Sequence, residues 1–214
     1  MPPPRGLFIS IDGPSGIGKS TTIRHVGQRL AAAGIAHHLT AEPTSGEIGV
    51  LARAVNRYDG PTLACLYAAD RYHHLAEIIR PGVAAGQIVI TDRYVPSGLV
   101  MQRLDGLTLT YLRHLNAHAD PPDLAVILTG DPARVAGRLH ARGTHNRYQD
   151  QADSTATEIR HYAEAADALS ACTTVLRLDT TNLDPATVAA TIHDRIDQLR
   201  AAPTGATIRL GGQP

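Results

Sequence analysis

Lysine is almost absent from this chain. Lys19 is the only one in 214 residues, and the other side chains of permanent positive charge are all arginine. Tryptophan is missing, and aromatic residues make up 4% of the sequence, so a core has to be packed from Ala, Leu, Ile and Val. Net charge is absent too: 20 basic residues balance 20 acidic ones, and the pI is about 7.2. That balance argues against a polybasic surface for nucleic acid or a membrane. No apolar run reaches the roughly 18 residues of a membrane helix, and Met1-Pro2-Pro3-Pro4-Arg5 holds no apolar leader-like region. A cytoplasmic protein with neither nucleic-acid nor membrane partners is expected. The two cysteines, Cys65 and Cys172, lie on apolar stretches with no metal-like spacing, and are expected to be reduced and buried. There is no internal repeat, and the length suits one domain with a full core.

One stretch stands out against this background. Gly13-Pro14-Ser15-Gly16-Ile17-Gly18-Lys19-Ser20-Thr21 fits G-x-x-x-x-G-K-[ST]. The apolar run Leu7 to Ile11 before it reads as a buried strand. Thr21 to Ala33 after it reads as a helix with Ile23, Val26 and Leu30 on one face. Strand, glycine loop and helix together give the pattern its meaning, which a glycine-rich turn matching by chance lacks. Gly13, Gly16 and Gly18 let the backbone curl so that N–H groups point inward around a β-phosphate. The helix that follows adds its positive end. Lys19 is expected to reach the β- and γ-phosphates of ATP, and the Ser20 hydroxyl to hold Mg²⁺. All nine residues from Gly13 to Thr21 are candidate ATP contacts. A sequence that uses arginine everywhere else has kept its one lysine where a compact ammonium is needed.

Apolar β-prone runs alternate with helical runs along the chain, which predicts a parallel α/β fold. Strands are expected at 7–11, 36–40, 87–91, 123–129 and 174–178. Helices are expected at 21–33, 47–55, 62–85, 108–117, from 131 to about 141, 152–170 and from 184 to about 201. Residues 142–150 are polar and read as a lid. One phosphate-loop domain is assigned to 1–202 and a loose tail to 203–214. In such sheets ligands bind beyond the carboxyl ends of the strands. Those ends carry Asp12, Glu42-Pro43 and Asp92-Arg93-Tyr94. The adjacent pairs His37-His38 and His73-His74 make poor chelates, because neighbours in a strand or helix diverge. They read as surface or pocket residues.

A phosphate loop by itself leaves a kinase, a motor or switch NTPase, and a non-catalytic nucleotide-binding module open. The arginines favour a kinase, because phosphoryl transfer is mostly positioning and charge neutralisation. Arg71 follows Tyr67-Ala68-Ala69-Asp70, Arg93 ends the third strand, and Arg138, Arg142 and Arg147 lie in or near the polar lid. These residues, in order with Phe8 to Gly13, Glu42 to Gly49, Leu66 to Arg71, Asp92 to Tyr94 and Pro122 to Leu124, resemble the thymidylate kinase family over roughly residues 7–199.

The resemblance implies a three-layer P-loop kinase fold with five parallel strands, helices on both faces and an arginine-bearing lid. It implies ATP- and Mg²⁺-dependent transfer to dTMP by a homodimer. Tyr67 then stacks on the acceptor base, Arg71 hydrogen-bonds it, and Arg93 grips the acceptor phosphate. Glu42 and Gln102 join the acceptor site, and Asp92 acts near both Mg²⁺ and the acceptor. Asp12 matches the carboxylate that precedes the family's loop. Position 17 is Ile rather than arginine, so the catalytic arginine is expected from the lid, as Arg142 or Arg147. Three departures fall on the acceptor side. Ala41 stands where the family commonly has an arginine that binds the acceptor phosphate, with Arg53, Arg57 and Arg103 as possible replacements. Met101 replaces a usual Tyr. Ser15 occupies a position that is acidic in some members. A second reading is therefore a repurposed kinase that phosphorylates a hydroxyl of a non-nucleotide small molecule such as an aminoglycoside, with Asp59, Asp70 and Asp105 meeting an amine.

Overall fold

The computed structural model describes residues 5–54, 57–141 and 154–201. Five parallel strands form its sheet: β1 (Leu7–Asp12), β2 (His37–Ala41), β3 (Ile88–Asp92), β4 (Leu124–Thr129) and β5 (Thr174–Asp179), in the spatial order β2-β3-β1-β4-β5. The three central strands are the continuous apolar runs, covered on both faces. The edge strands carry the polar residues His37, His38 and Arg177.

Alternation along β1 separates two layers. Ile9 and Ile11 pack with Val26 and Leu30 of α1 (Lys19–Ala32) and with Ile192 and Ile196 of the C-terminal helix Pro185–Ala201. Phe8 faces the other way, into a cluster with Leu75, Val89 and Tyr94. This is the expected three-layer α/β architecture. α1 begins two residues earlier than its apolar spacing predicts, because Gly18 at φ 106° supplies the left-handed turn into it. It ends where Gly34 takes φ 67°.

After α2 (Glu47–Arg53), the long helix expected at 62–85 is interrupted. α3 (Gly60–His74) runs into a wide π turn at Leu75–Ile79, where the Arg80 N–H reaches the Leu75 carbonyl, and α4 (Arg80–Ala84) follows. Pro81 supplies no N–H and its ring crowds the carbonyl four residues back, so the wider turn takes up the misfit. α5 (Val95–Leu104) was not expected at all. Its first turn is capped from β1: the Asp12 Oδ1 accepts from the Tyr94 N–H at 2.9 Å, the Ser97 N–H at 3.1 Å and the Ser97 hydroxyl at 2.7 Å. The remaining helices are α6 (Leu109–Leu115), α7 (Pro132–Ala141), α8 (Ser154–Leu169) and α9 (Pro185–Ala201).

Both cysteines are exposed, contrary to expectation. Cys65 lies on the outer side of α3 beside the Tyr111 hydroxyl, and Cys172 in the turn after α8, so neither apolar stretch turns its cysteine inward. His74 departs as well. The roughly 100° between helix neighbours turns His73 to solvent and buries His74.

Candidate active site

The donor loop lies between β1 and α1. Gly13, Gly16 and Gly18 all have positive φ, at 149°, 78° and 106°. A Cβ on Gly13 would stand 2.6 Å from the Leu128 carbonyl oxygen, so glycine is required there by space as well as by conformation. The Lys19 ammonium is buried and donates to the Gly13 and Pro14 carbonyls at 2.8 and 2.9 Å, spanning the loop from inside. Burial, then Arg93, push its pKa down to about 7, against the pull of Asp92, Glu158 and Asp12.

The end of β3 abuts this loop. The Ser20 hydroxyl donates to Asp92 Oδ2 at 2.6 Å. Asp92 Oδ1 is buried with no hydrogen-bond partner among the described residues. This pair of adjacent hard oxygens suits Mg²⁺, which needs few protein ligands when phosphates and waters supply the rest. No group of three or more His, Cys, Asp and Glu able to hold a metal occurs among the described residues.

Arg93 has φ 76°, in the left-handed region, which costs a non-glycine residue on the order of 1 kcal/mol or more. Its own N–H bonds the Ile11 carbonyl at 3.0 Å, its carbonyl accepts from Thr91 Oγ1 at 2.9 Å, and the next N–H is held by Asp12. Burial opposes the guanidinium's charge, but Tyr162, Asp92, Glu158 and Asp12 outweigh it and hold the pKa above its ordinary value. Asp12 therefore lies beneath the site rather than in its wall. It is fully buried, and burial raises its pKa despite the hydrogen bonds from Ser97 and Tyr94. Its contacts run to the N–H after Arg93 and to the first turn of α5.

A pocket of about 130 Å³ opens beside the loop. Ser15, Glu42, Tyr67, Arg71, Arg93 and Met101 stand in its wall. β2, β3 and β1 are neighbours, so the carboxyl ends of all three converge here, with Ala41 paired to Asp92 in the register. Arg71 is buried: its Nε donates to Glu42 Oε2 at 2.9 Å, its Nη1 to Asn116 Oδ1, and its guanidinium lies 5.3 Å from the Tyr94 ring centre. Glu42 also meets His74 Nδ1 at 3.1 Å, and His74 Nε2 meets Thr40 Oγ1 at 2.9 Å. Arg71 is thus held in a network that no local sequence pattern announces.

Gln102 is not in the pocket wall. It is buried against Gly98, behind Arg71, and its Nε2 has no partner among the described residues. Of the three arginines considered as replacements at position 41, Arg53 donates from α2 to the carbonyl of Pro43, a wall residue, at 2.5 Å. Arg57 lies 5.6 Å from the Tyr58 ring centre, and Arg103 pairs with Glu164 at 2.6 Å. Arg138 is exposed on α7. Arg142, Arg147 and the lid assigned to 142–150 lie outside the described residues, as does the tail at 203–214.

Sequence reasoning missed Glu158. From α8 its Oε1 accepts from the Ser15 N–H at 3.1 Å and the Ser15 hydroxyl at 3.4 Å, so a carboxylate sits beside the loop position that lacks one. Burial pushes the Glu158 carboxyl up, while Lys19, the Ser15 N–H and Arg93 pull it back.

Comparison with known proteins shows the family. A family model described as thymidylate kinase matches residues 11–184. A thymidylate kinase of Xanthomonas oryzae pv. oryzae is 40% identical over 152 residues, 69% of this chain and 67% of its own length. A probable thymidylate kinase of Pyrococcus horikoshii is 35% identical over 166 residues, 73% of this chain and 80% of its own. One of Caldivirga maquilingensis, also described as probable, is 33% identical over 69% of this chain and 74% of its own.

Proposed function

The chain belongs to the thymidylate kinase family and is an ATP-dependent kinase, and from that premise we propose that it converts dTMP to dTDP with ATP as donor and Mg²⁺ as cofactor. One observation carries this reading: Ser15 of the donor loop and Arg93 share a single pocket with Tyr67, Arg71 and Glu42. A pocket joined to the phosphate loop through a cation suits an acceptor that is itself a phosphate.

In the proposed reaction an oxygen of the dTMP phosphate attacks the γ-phosphorus of ATP. The bond from that phosphorus to the β,γ-bridging oxygen breaks, and the oxygen leaves on ADP. Backbone N–H groups of the loop and the Lys19 ammonium hold the β- and γ-phosphates. Arg93, fixed in its strained conformation, holds the acceptor phosphate in line. Arg53, which donates to the carbonyl of the wall residue Pro43, supplies the cation missing at Ala41. Tyr67 stacks on the base, and Arg71, already braced by Glu42 and Asn116, donates to its edge. Ser20 and Asp92 would hold Mg²⁺, which when bound neutralises phosphate-oxygen charge as it develops. Arg142 or Arg147 provides the further catalytic cation.

The aminoglycoside-type acceptor has less support. The only carboxylate among the described residues of the pocket wall is Glu42, taken up by Arg71 and His74. Asp70 is buried and holds the Thr44 N–H and hydroxyl at 2.7 and 2.5 Å. A homodimer is also proposed, in keeping with Val50 and Leu51 of α2, which leave 57% and 45% of their surfaces exposed. Among the described residues no helix is long and apolar enough to cross a membrane.

The test is a coupled ADP-release assay with ATP, Mg²⁺ and a panel of nucleoside monophosphates and hydroxyl compounds. Turnover highest with dTMP is the expected result. Turnover only with an unphosphorylated compound overturns the assignment of the acceptor, and none with any acceptor points to a nucleotide-binding module.

A further inference from the structure

Glu158 belongs to no motif, yet it is 6% exposed and sits at the junction of the two sites. It reaches from α8 to Ser15, which is both a loop residue and a wall residue of the acceptor pocket. Two cations, Lys19 and Arg93, act on it electrostatically. Among the described residues those two cations stand against three carboxylates: Asp12, Asp92 and Glu158. Asp12 is spent on the cap of α5, and Asp92 on Ser20. Glu158 is left with the loop itself.

We propose that Glu158 is a specificity-determining positioning residue, which fixes Ser15 between the two sites and sets a negative charge there, disfavouring the diphosphate product relative to the monophosphate acceptor. The proposal rests on the phosphoryl-transfer reading above. The acceptor gains a phosphoryl group at this junction and must leave more negatively charged than it entered. A junction of cations alone would hold that product most tightly, and product release sets kcat in many enzymes. A buried carboxylate opposes excess negative charge more strongly than a surface one, because salt and water screen it less.

Glu158→Gln keeps an oxygen to accept from Ser15 and removes the charge; Glu158→Asp keeps the charge. Calorimetry on the intact protein gives Kd for dTMP, dTDP and inorganic tripolyphosphate. Glu158→Gln is expected to tighten dTDP by about fivefold or more and dTMP by less than about twofold, with kcat lowered by slower release. Glu158→Asp is expected to restore the wild-type ratio. An unchanged dTDP-to-dTMP ratio in Glu158→Gln overturns the proposal, and so does an equal loss of both affinities, the mark of a merely structural contact. Should the wild type bind tripolyphosphate but neither nucleotide, the acceptor reading fails separately. The charge argument is then decided on tripolyphosphate against inorganic phosphate, where an unchanged ratio in Glu158→Gln overturns it.

Discussion

The two halves of the cleft are built in opposite ways. The phosphate-loop half is nine consecutive residues, and much of it is backbone: glycines at positive φ, one helix end and one ammonium. The pocket beside it is walled mostly by side chains, from the ends of β2 and β3 and from α3 and α5, with Ser15 from the loop. A backbone site tolerates little substitution, since a Cβ at Gly13 has nowhere to go. A side-chain site can drift residue by residue while its shape persists, and Met101 stands in its wall, with Ala41 ending β2 next to Glu42.

The largest effect should come from breaking the donor half. Lys19→Ala is expected to lower kcat by about a hundredfold or more, roughly 3 kcal/mol, as for loss of a preorganised charge. Steady-state kinetics decide it, and a near-normal kcat sinks the loop as the catalytic donor site. On the acceptor half, Arg53→Ala should raise KM for dTMP about tenfold, the scale of one charge-assisted phosphate contact of 1.5–3 kcal/mol, and leave kcat nearly unchanged. Arg103→Ala, paired elsewhere, serves as the control. Ala41→Arg in the Arg53→Ala background should recover most of the loss, and no recovery would mean the two positions do not serve the same phosphate.

A third change joins the halves. Asp12→Ala removes the cap of α5 and the restraint on Arg93. It should cost about 2 kcal/mol in urea unfolding and lower kcat as well. Full activity with reduced stability would restrict Asp12 to folding.

The smallest effect is one of pH. In the free enzyme Lys19 is held down to about 7, by burial and then by Arg93. Its charged form is the one that binds phosphate and predominates below that value. The kcat/KM for ATP, which reports free enzyme, should fall as pH rises through about 7. The kcat should fall only at higher pH, because bound phosphates raise the ammonium's pKa again. Coincident limbs would mean that Lys19 keeps its charge in the empty site.

Legibility in the sequence followed the same division. The loop, its flanking strand and helix and the alternation of apolar runs are local, and local spacing reports them. The convergence of Asp12, Glu42 and Asp92 on one edge could also be read, because parallel strands end together. What escaped was held by distant partners. α5 contains Gly98 and the β-branched Val95 and Val100, and its cap lies on β1, so Pro96 in its first turn is a weak local signal set against residues that disfavour a helix. Gln102 follows the motif but turns behind Arg71. Glu158 looks like any polar residue on a helix until α8 packs down on the loop.

By itself the sequence determined the phosphate loop, the parallel α/β class and the family, because each depends on short-range spacing or on an ordered set of motifs. Only the tertiary structure decided that Arg53 reaches the Pro43 carbonyl, that Arg71 is braced by Glu42 and Asn116, and that a carboxylate from α8 faces Ser15. The reason is physical: a backbone cradle is made by neighbours in the chain, whereas a buried charge takes its partners from whatever the packed fold brings within hydrogen-bonding reach.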